Sequence, residues 1–356
     1  MKFELSEEQE LLQETIGGFV ESECPVTRLR EIYDGDEPFD PALWKGMCEL
    51  GLGGISIPEQ YGGAGLAALD LAVVAETLGR GAVPGPFLGH SLAAAAIALG
   101  GSDAQRERWL PGLASGDQLG TVAFDENGAW QPEDWQLAGG ASLSGAKRHV
   151  LYGDAADLVV VGTAGGGLAV VENGAGTRAE AFEGVDRTRR LFDLHFDGAA
   201  AEPLESGEAA AGRVRDLALV LLAADAFGGA SRLVEMSVEY AKNREQFGVT
   251  IGHFQALKHQ LANMAVDVEP SRALYWFAGH AFDEMPEQSE RTAALAKAHL
   301  ADRFMQTARD AVEVHGGYGF TWECEVQVWF KRAMFDRQFM GAPSVHRERA
   351  AALAGW

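Results

Sequence analysis

Arg244-Glu245-Gln246-Phe247-Gly248-Val249-Thr250-Ile251-Gly252-His253-Phe254-Gln255 is the most telling stretch of this 356-residue chain. It joins a long helical pattern ending at Lys242 to another that opens at Phe254 and Gln255. An arginine at a helix end, a glycine-allowed turn and a helix N-terminus a few residues on can together hold a diphosphate. Guanidinium pairs with phosphate, and the unpaired N–H groups of the helix add to it. An ordinary interhelical turn with a solvated arginine uses the same residues, so the stretch alone leaves both open. A second turn, His315-Gly316-Gly317-Tyr318-Gly319-Phe320, closes another helical pattern. Its glycines would let a ligand approach the backbone closely, or simply cap the helix. No strand precedes it, so it is not a dinucleotide-binding fingerprint. His315 reads as a turn histidine.

Working outward, helical periodicity runs over about 207–242, 254–283 and 289–314, with a more broken stretch at 321–356. Upstream, glycine-rich turns separate short runs at Thr121–Phe124, Leu158–Val161, Leu168–Val171 and Leu191–Phe196, which predict a small antiparallel β unit. Residues 1–115 read as helices. Ser6 and Gln9 have capping-box spacing before Leu11, Leu12, Ile16 and Phe19. Asp40-Pro41 opens a short helix through Trp44, Met47 and Leu50, and Pro58–Gly65 is turn chemistry. The predicted class is α+β. The expected division is an N-terminal helical domain over 1–117, a middle β barrel or sandwich over 118–205, and a C-terminal four-helix bundle over 206–356.

The length predicts two to three structural units at about 150 residues each. With 29 Lys+Arg against 52 Asp+Glu the formal charge is −23, which argues against binding nucleic acid or an anionic membrane surface. Cys24, Cys48 and Cys324 are odd in number, far apart and without metal-ligand spacing. They read as reduced thiols of a cytoplasmic protein. The N-terminus MKFELSEEQELL lacks the apolar core of a signal peptide, and neither Leu92–Leu99 nor Leu217–Phe227 is suited to span a bilayer.

Taken together, the helix–β–helix order, Leu5–Gln9, Ile57–Gly65, Arg244–Gly248, Phe254-Gln255 and His315–Gly319 resemble the acyl-CoA dehydrogenase family along nearly the whole chain. The resemblance implies a tetrameric flavoenzyme that desaturates acyl-CoA thioesters between Cα and Cβ, with FAD as cofactor and electron-transfer flavoprotein as acceptor. A glutamate takes the α-proton while the flavin accepts the β-hydride. The base must reach Cα to within about 3 Å.

Two positions supply that glutamate in the family, and here they fall on Met340, counting from Lys331-Arg332-Ala333, and on Ala218, counting back from Arg244. Neither side chain can take a proton. No catalytic residue is therefore assigned, and Asp216, Asp225, Glu323 and Glu325 read as structural or solvated. The ring contacts also depart: Ala123–Gly128 replaces the first flavin motif, and His149 and Leu151 stand at the Trp and Thr positions of the second. The resemblance assigns the ADP half of FAD, which belongs to a neighbouring subunit's cofactor, to Arg244, Gln246, Phe247, Gln255, Gly316 and Gly317. Glu313 joins them where a Gln is usual. A basic residue toward CoA falls on Leu219, with Arg213 and Arg215 close enough to compensate. Keeping the ADP cradle while lacking the base resembles the base-less subunit of bacterial heteromeric acyl-CoA dehydrogenases, some of them steroid-degrading, with a paralogous partner in an α2β2 tetramer. A self-sufficient homotetramer with an unrecognised base, such as Asp216, and a flavin-free scaffold subunit are the alternatives.

Overall fold

The structure, a computed structural model, describes residues 4–35 and 39–356. The opening Met1–Phe3 of the acidic N-terminus lies outside them. Six helices come first: α1 (Glu7–Glu23), α2 (Val26–Asp34), α3 (Pro41–Glu49), α4 (Ala68–Arg80), α5 (Phe87–Gly100) and α6 (Asp103–Ser115). The Ser6 hydroxyl accepts from Gln9 N at 3.2 Å and Gln9 Oε1 accepts from Ser6 N at 3.0 Å, the reciprocal cap its spacing predicts. Asp40 Oδ1 accepts from the backbone of Ala42 and Leu43 to start α3 at Pro41.

Seven strands follow: β1 (Gly120–Ala123), β2 (Ser142–Leu151), β3 (Leu158–Thr163), β4 (Gly167–Glu172), β5 (Thr177–Phe182), β6 (Leu191–Ala200) and β7 (Glu202–Pro203). They form two sheets, β1-β3-β4-β7 and β2-β6-β5, so the unit is a sandwich and not a closed barrel. Leu143, Val150, Val159, Val161, Leu194 and Phe196 fill the space between them. One expectation is corrected: β1 and β3 run parallel. The chain between them passes through β2 in the other sheet, and such a crossover returns the strand in its original direction. β2 and β5 carry too many polar residues to read as strands alone, and both are made strands by pairing with β6.

The C-terminal part holds α7 (Gly207–Asn243), the hairpin strands β8 (Glu245–Gln246) and β9 (Val249–Thr250), α8 (Gln255–Val268), α9 (Arg272–Glu284), α10 (Pro286–His315), α11 (Val326–Gln338) and α12 (Pro343–Leu353). The helix expected over 254–283 is two helices. Pro270 sits in a 3-10 turn, Glu269–Ser271, because proline cannot donate the backbone bond that a continuous helix needs. α7 is long and apolar enough to cross a membrane, yet 83% of its apolar window is buried inside the fold, as in a core helix. Against it α4 lies in backbone contact. A Cβ on Gly228 would come within 2.0 Å of Glu76 O, and one on Gly79 within 2.3 Å of Asp225 O.

A buried ionic network ties the three regions together. Arg332 of α11 donates from Nε to Asp186 Oδ2 at 2.9 Å, from Nη1 to Asp225 Oδ1 on α7 at 3.0 Å, and from Nη2 to Val83 O at 3.2 Å and to Thr188 Oγ1. Arg189 adds bonds to Asp225 Oδ1 at 2.9 Å and to Val83 O at 3.0 Å.

Candidate functional site

The hairpin after α7 has a two-residue loop in which Phe247 (φ +56°) and Gly248 (φ +80°) both occupy the left-handed region. That turn suits the twist of the flanking strands, and a phenylalanine held there is 92% exposed. The second turn lies at the same end of the bundle. Tyr240, one turn before Arg244, stacks on His315 at 4.3 Å between ring centroids, and His315 Nδ1 donates to Ala311 O at 2.7 Å. His315 is thus a structural residue, as its sequence suggests. Arg244, Gln246, Phe247, Gln255, Glu313, Gly316 and Gly317 are all exposed. Arg244 forms no ion pair among the described residues, and a Cβ on Gly316 or Gly317 would meet nothing within 4 Å. A free guanidinium, an open glycine turn and the start of α8 suit a diphosphate arriving from outside the chain. Glu313 Oε2 accepts from Gln260 Nε2 at 3.4 Å.

A cavity of about 660 Å³ lies between the strand region and α10–α11. Its walls include Trp130, Phe182, Met305, Phe330, Phe335 and Phe339. One side is shaped by a bulge in β2: Arg148 and His149 together oppose Asp193 on β6, whose carboxylate accepts from Arg148 Nε at 3.1 Å and from His149 N at 3.2 Å. The extra residue re-aims His149 (φ +52°) toward the cavity. Its Nδ1 lies 2.6 Å from Oδ2 of the fully buried Asp125. The sequence marks Asp125 and His149 only as departures from the ring motifs. Their pairing across 24 positions depends on Arg148 N bonding Asp125 O, which no local signal announces.

Neither position to which the resemblance assigns the family's base presents a proton acceptor. Met340 is fully buried at φ +61°, and its carbonyl accepts from His346 Nε2 at 3.1 Å. Ala218 and Leu219 are sealed in the core of α7. Asp216 is committed to Arg215 at 2.7 Å and accepts from Ser289 at 3.1 Å. Burial raises its carboxyl above the ordinary range. Asp225 belongs to the Arg332 network, and Glu323 lies on the surface. Arg213 and Arg215 do not compensate for Leu219. The Arg215 guanidinium is buried between Asp216 and Glu290, and that of Arg213 donates to Phe282 O over the Phe282 ring. Exposure and the open glycine turn leave the residues around Arg244 free to meet the ADP half of FAD that the resemblance assigns to them. At the positions where the resemblance expects ring contacts, His149 pairs with Asp125 and Leu151 is buried outside the cavity lining.

A helical unit, a two-sheet sandwich and a helical bundle in this order define the fold of flavin-dependent acyl-CoA dehydrogenases. Sequence comparison agrees: the family model "Acyl-CoA dehydrogenase, N-terminal domain" matches residues 6–117, and "Acyl-CoA dehydrogenase, C-terminal domain" matches 217–354. Acyl-CoA dehydrogenase IpdE2 of Mycolicibacterium smegmatis is 35% identical over 349 residues, covering 98% of this chain and 99% of that protein. The chain belongs to the acyl-CoA dehydrogenase family. A chain of the Tcur3481-Tcur3483 steroid ACAD superposes with a TM-score of 0.90 at 30% identity, covering 98% of each chain. One from the ChsE4-ChsE5 complex of Mycobacterium tuberculosis superposes at 0.90 and 28%, covering 100% of this chain and 99% of that one.

Proposed function

We propose that this chain is the base-less subunit of a heteromeric acyl-CoA dehydrogenase, paired with a paralogous partner in an α2β2 tetramer. What carries the proposal is the split between its two half-sites. Seven cradle residues stand exposed at one end of the bundle, while both base positions are apolar and buried. When bound, FAD supplies the hydride acceptor for α,β-desaturation of an acyl-CoA thioester. Arg244 neutralises the diphosphate and the hairpin presents Gln246 and Phe247. Gln255 opens α8 beside them, and Gly316 and Gly317 admit the adenosine side without a Cβ in the way. The partner supplies the carboxylate that takes the α-proton. The names ChsE4-ChsE5 complex and Tcur3481-Tcur3483 steroid ACAD support both the heteromeric arrangement and a steroid-derived acyl group. Electron-transfer flavoprotein is the proposed acceptor, the cytoplasm the proposed compartment, and 1–117, 118–205 and 206–356 the proposed domain division.

The test is the visible spectrum and mass of the chain purified alone and co-expressed with its partner. A colourless single chain and a yellow mixed tetramer with two flavins are expected. Arg244→Ala should then cost about 1.5–3 kcal/mol of cofactor binding, seen as flavin loss from the complex. A yellow homotetramer with four flavins overturns the proposal, and unchanged flavin in Arg244→Ala makes the chain a scaffold.

A further inference from the structure

If the flavin ring of the shared site lies in the partner, the cavity beside β2 in this chain is left without its family occupant. Its lining combines apolar side chains with polar and charged ones. The body is apolar and adaptable, with Trp130, Phe182, Phe335 and Phe339 facing the thioethers of Met305 and Met334. At about 660 Å³ it falls within the range of small-molecule pockets.

One polar part of the lining is the fully buried Asp125. Its Oδ1 accepts from Gly128 N at 2.5 Å, and its Oδ2 lies against His149 Nδ1 at 2.6 Å. The Asp125 carboxylate accepts from Nδ1, which leaves Nε2 as the ring's remaining polar atom. A ligand hydroxyl, which can both donate and accept, suits that nitrogen. Arg309 and Arg337 also line the cavity, together with Glu183. Arg309 is exposed with no ion pair among the described residues, and Arg337 is held by Asp302 at 2.9 Å.

We propose that this cavity binds a hydroxylated fused-ring carboxylate, with the ring body between the aromatics, a hydroxyl on His149 and the carboxylate at Arg309. The fused-ring class rests on the function proposed above. Occupancy would stabilise the subunit by mass action and make the complex responsive to acids of its own substrate class.

The test is calorimetric titration of the purified chain and of the mixed complex with cholate, kept below its micellar range, and with FMN in parallel. Saturable binding of one cholate per chain, with no FMN binding, is expected. His149→Phe and Arg309→Gln should each weaken cholate by about tenfold or more. Arg309 is exposed and forms no ion pair among the described residues, so its variant keeps the test valid if His149→Phe disturbs the bulge. FMN binding in place of cholate makes the cavity a ring site and overturns the inference. So does an absence of cholate binding, or cholate binding that neither variant weakens, which is surfactant adsorption. Flavin content of the complex is read separately. A flavin-loaded single chain overturns the shared-site reading, whereas a two-flavin complex that ignores cholate overturns this inference alone.

Discussion

Arg332 is wholly buried, and every contact it makes joins a different part of the chain. Its guanidinium reaches the backbone after α4, the Asp186–Thr188 loop and Asp225 of α7 at once, a geometry that needs the fixed fork of arginine. Two arginines hold the Asp225 carboxyl below its usual range. Burial and the neighbouring Asp225 push the Asp336 carboxyl well above its usual range. Replacing Arg332 by Met would strand Asp186 without a counter-charge. We expect a loss of about 3–5 kcal/mol in urea denaturation, with Arg332→Lys a poor rescue. Glu313 sets a carboxylate beside the proposed diphosphate cradle. Glu313→Gln should therefore tighten flavin retention by the mixed complex about 2–5-fold, the scale of one exposed charge interaction. Equal or weaker retention would mean that the carboxylate pairs with a ribose hydroxyl.

At the scale of elements, the α4–α7 crossing is the tightest helix contact described above, and two glycines permit it. Gly228→Ala brings a methyl onto Glu76 O and forces the helices apart. The expected cost is about 1–3 kcal/mol, with faster limited proteolysis between the N-terminal helices and the bundle. The same turn of α4 also carries the Glu76 carboxylate, which accepts from Tyr275 and pairs with Arg272 of α9 at 3.2 Å. The β2 bulge acts on the same scale, since one extra residue against Asp193 turns an unremarkable strand histidine into a cavity residue.

For the whole molecule, buried histidines set part of the acid response. Burial depresses both His90 and His346 from 6.5 to about 4. His90 donates from Nε2 to Gly53 O at 3.0 Å and accepts from Gly120 N at 3.2 Å, which only the neutral ring can do. Between pH 6.5 and about 4 the unfolded chain binds the protons that the folded one refuses. Stability is therefore full above pH 6.5 and is lost as pH falls toward about 4. The urea midpoint should drop steeply over that window, and His90→Gln should flatten the slope by about one proton. An unchanged slope would mean that His90 titrates normally in the folded state.

The sequence by itself determined the order of helices, strands and helices, because hydrophobic period, caps and glycine turns are local. Ser6 with Gln9, Asp40-Pro41 and the Arg244–Gly248 turn could all be read from neighbours a few residues apart. The absence of a carboxylate at positions 340 and 218 was legible for the same reason. Contacts between distant residues were decided only by the tertiary structure. Such contacts put β2 and β5 on β6, set β1 parallel to β3 and paired Asp125 with His149. They also buried Arg215 against Asp216, which removes it as a basic residue for CoA. Each depends on a backbone bond or ion pair whose partner lies far along the chain, where neither periodicity nor composition carries a signal.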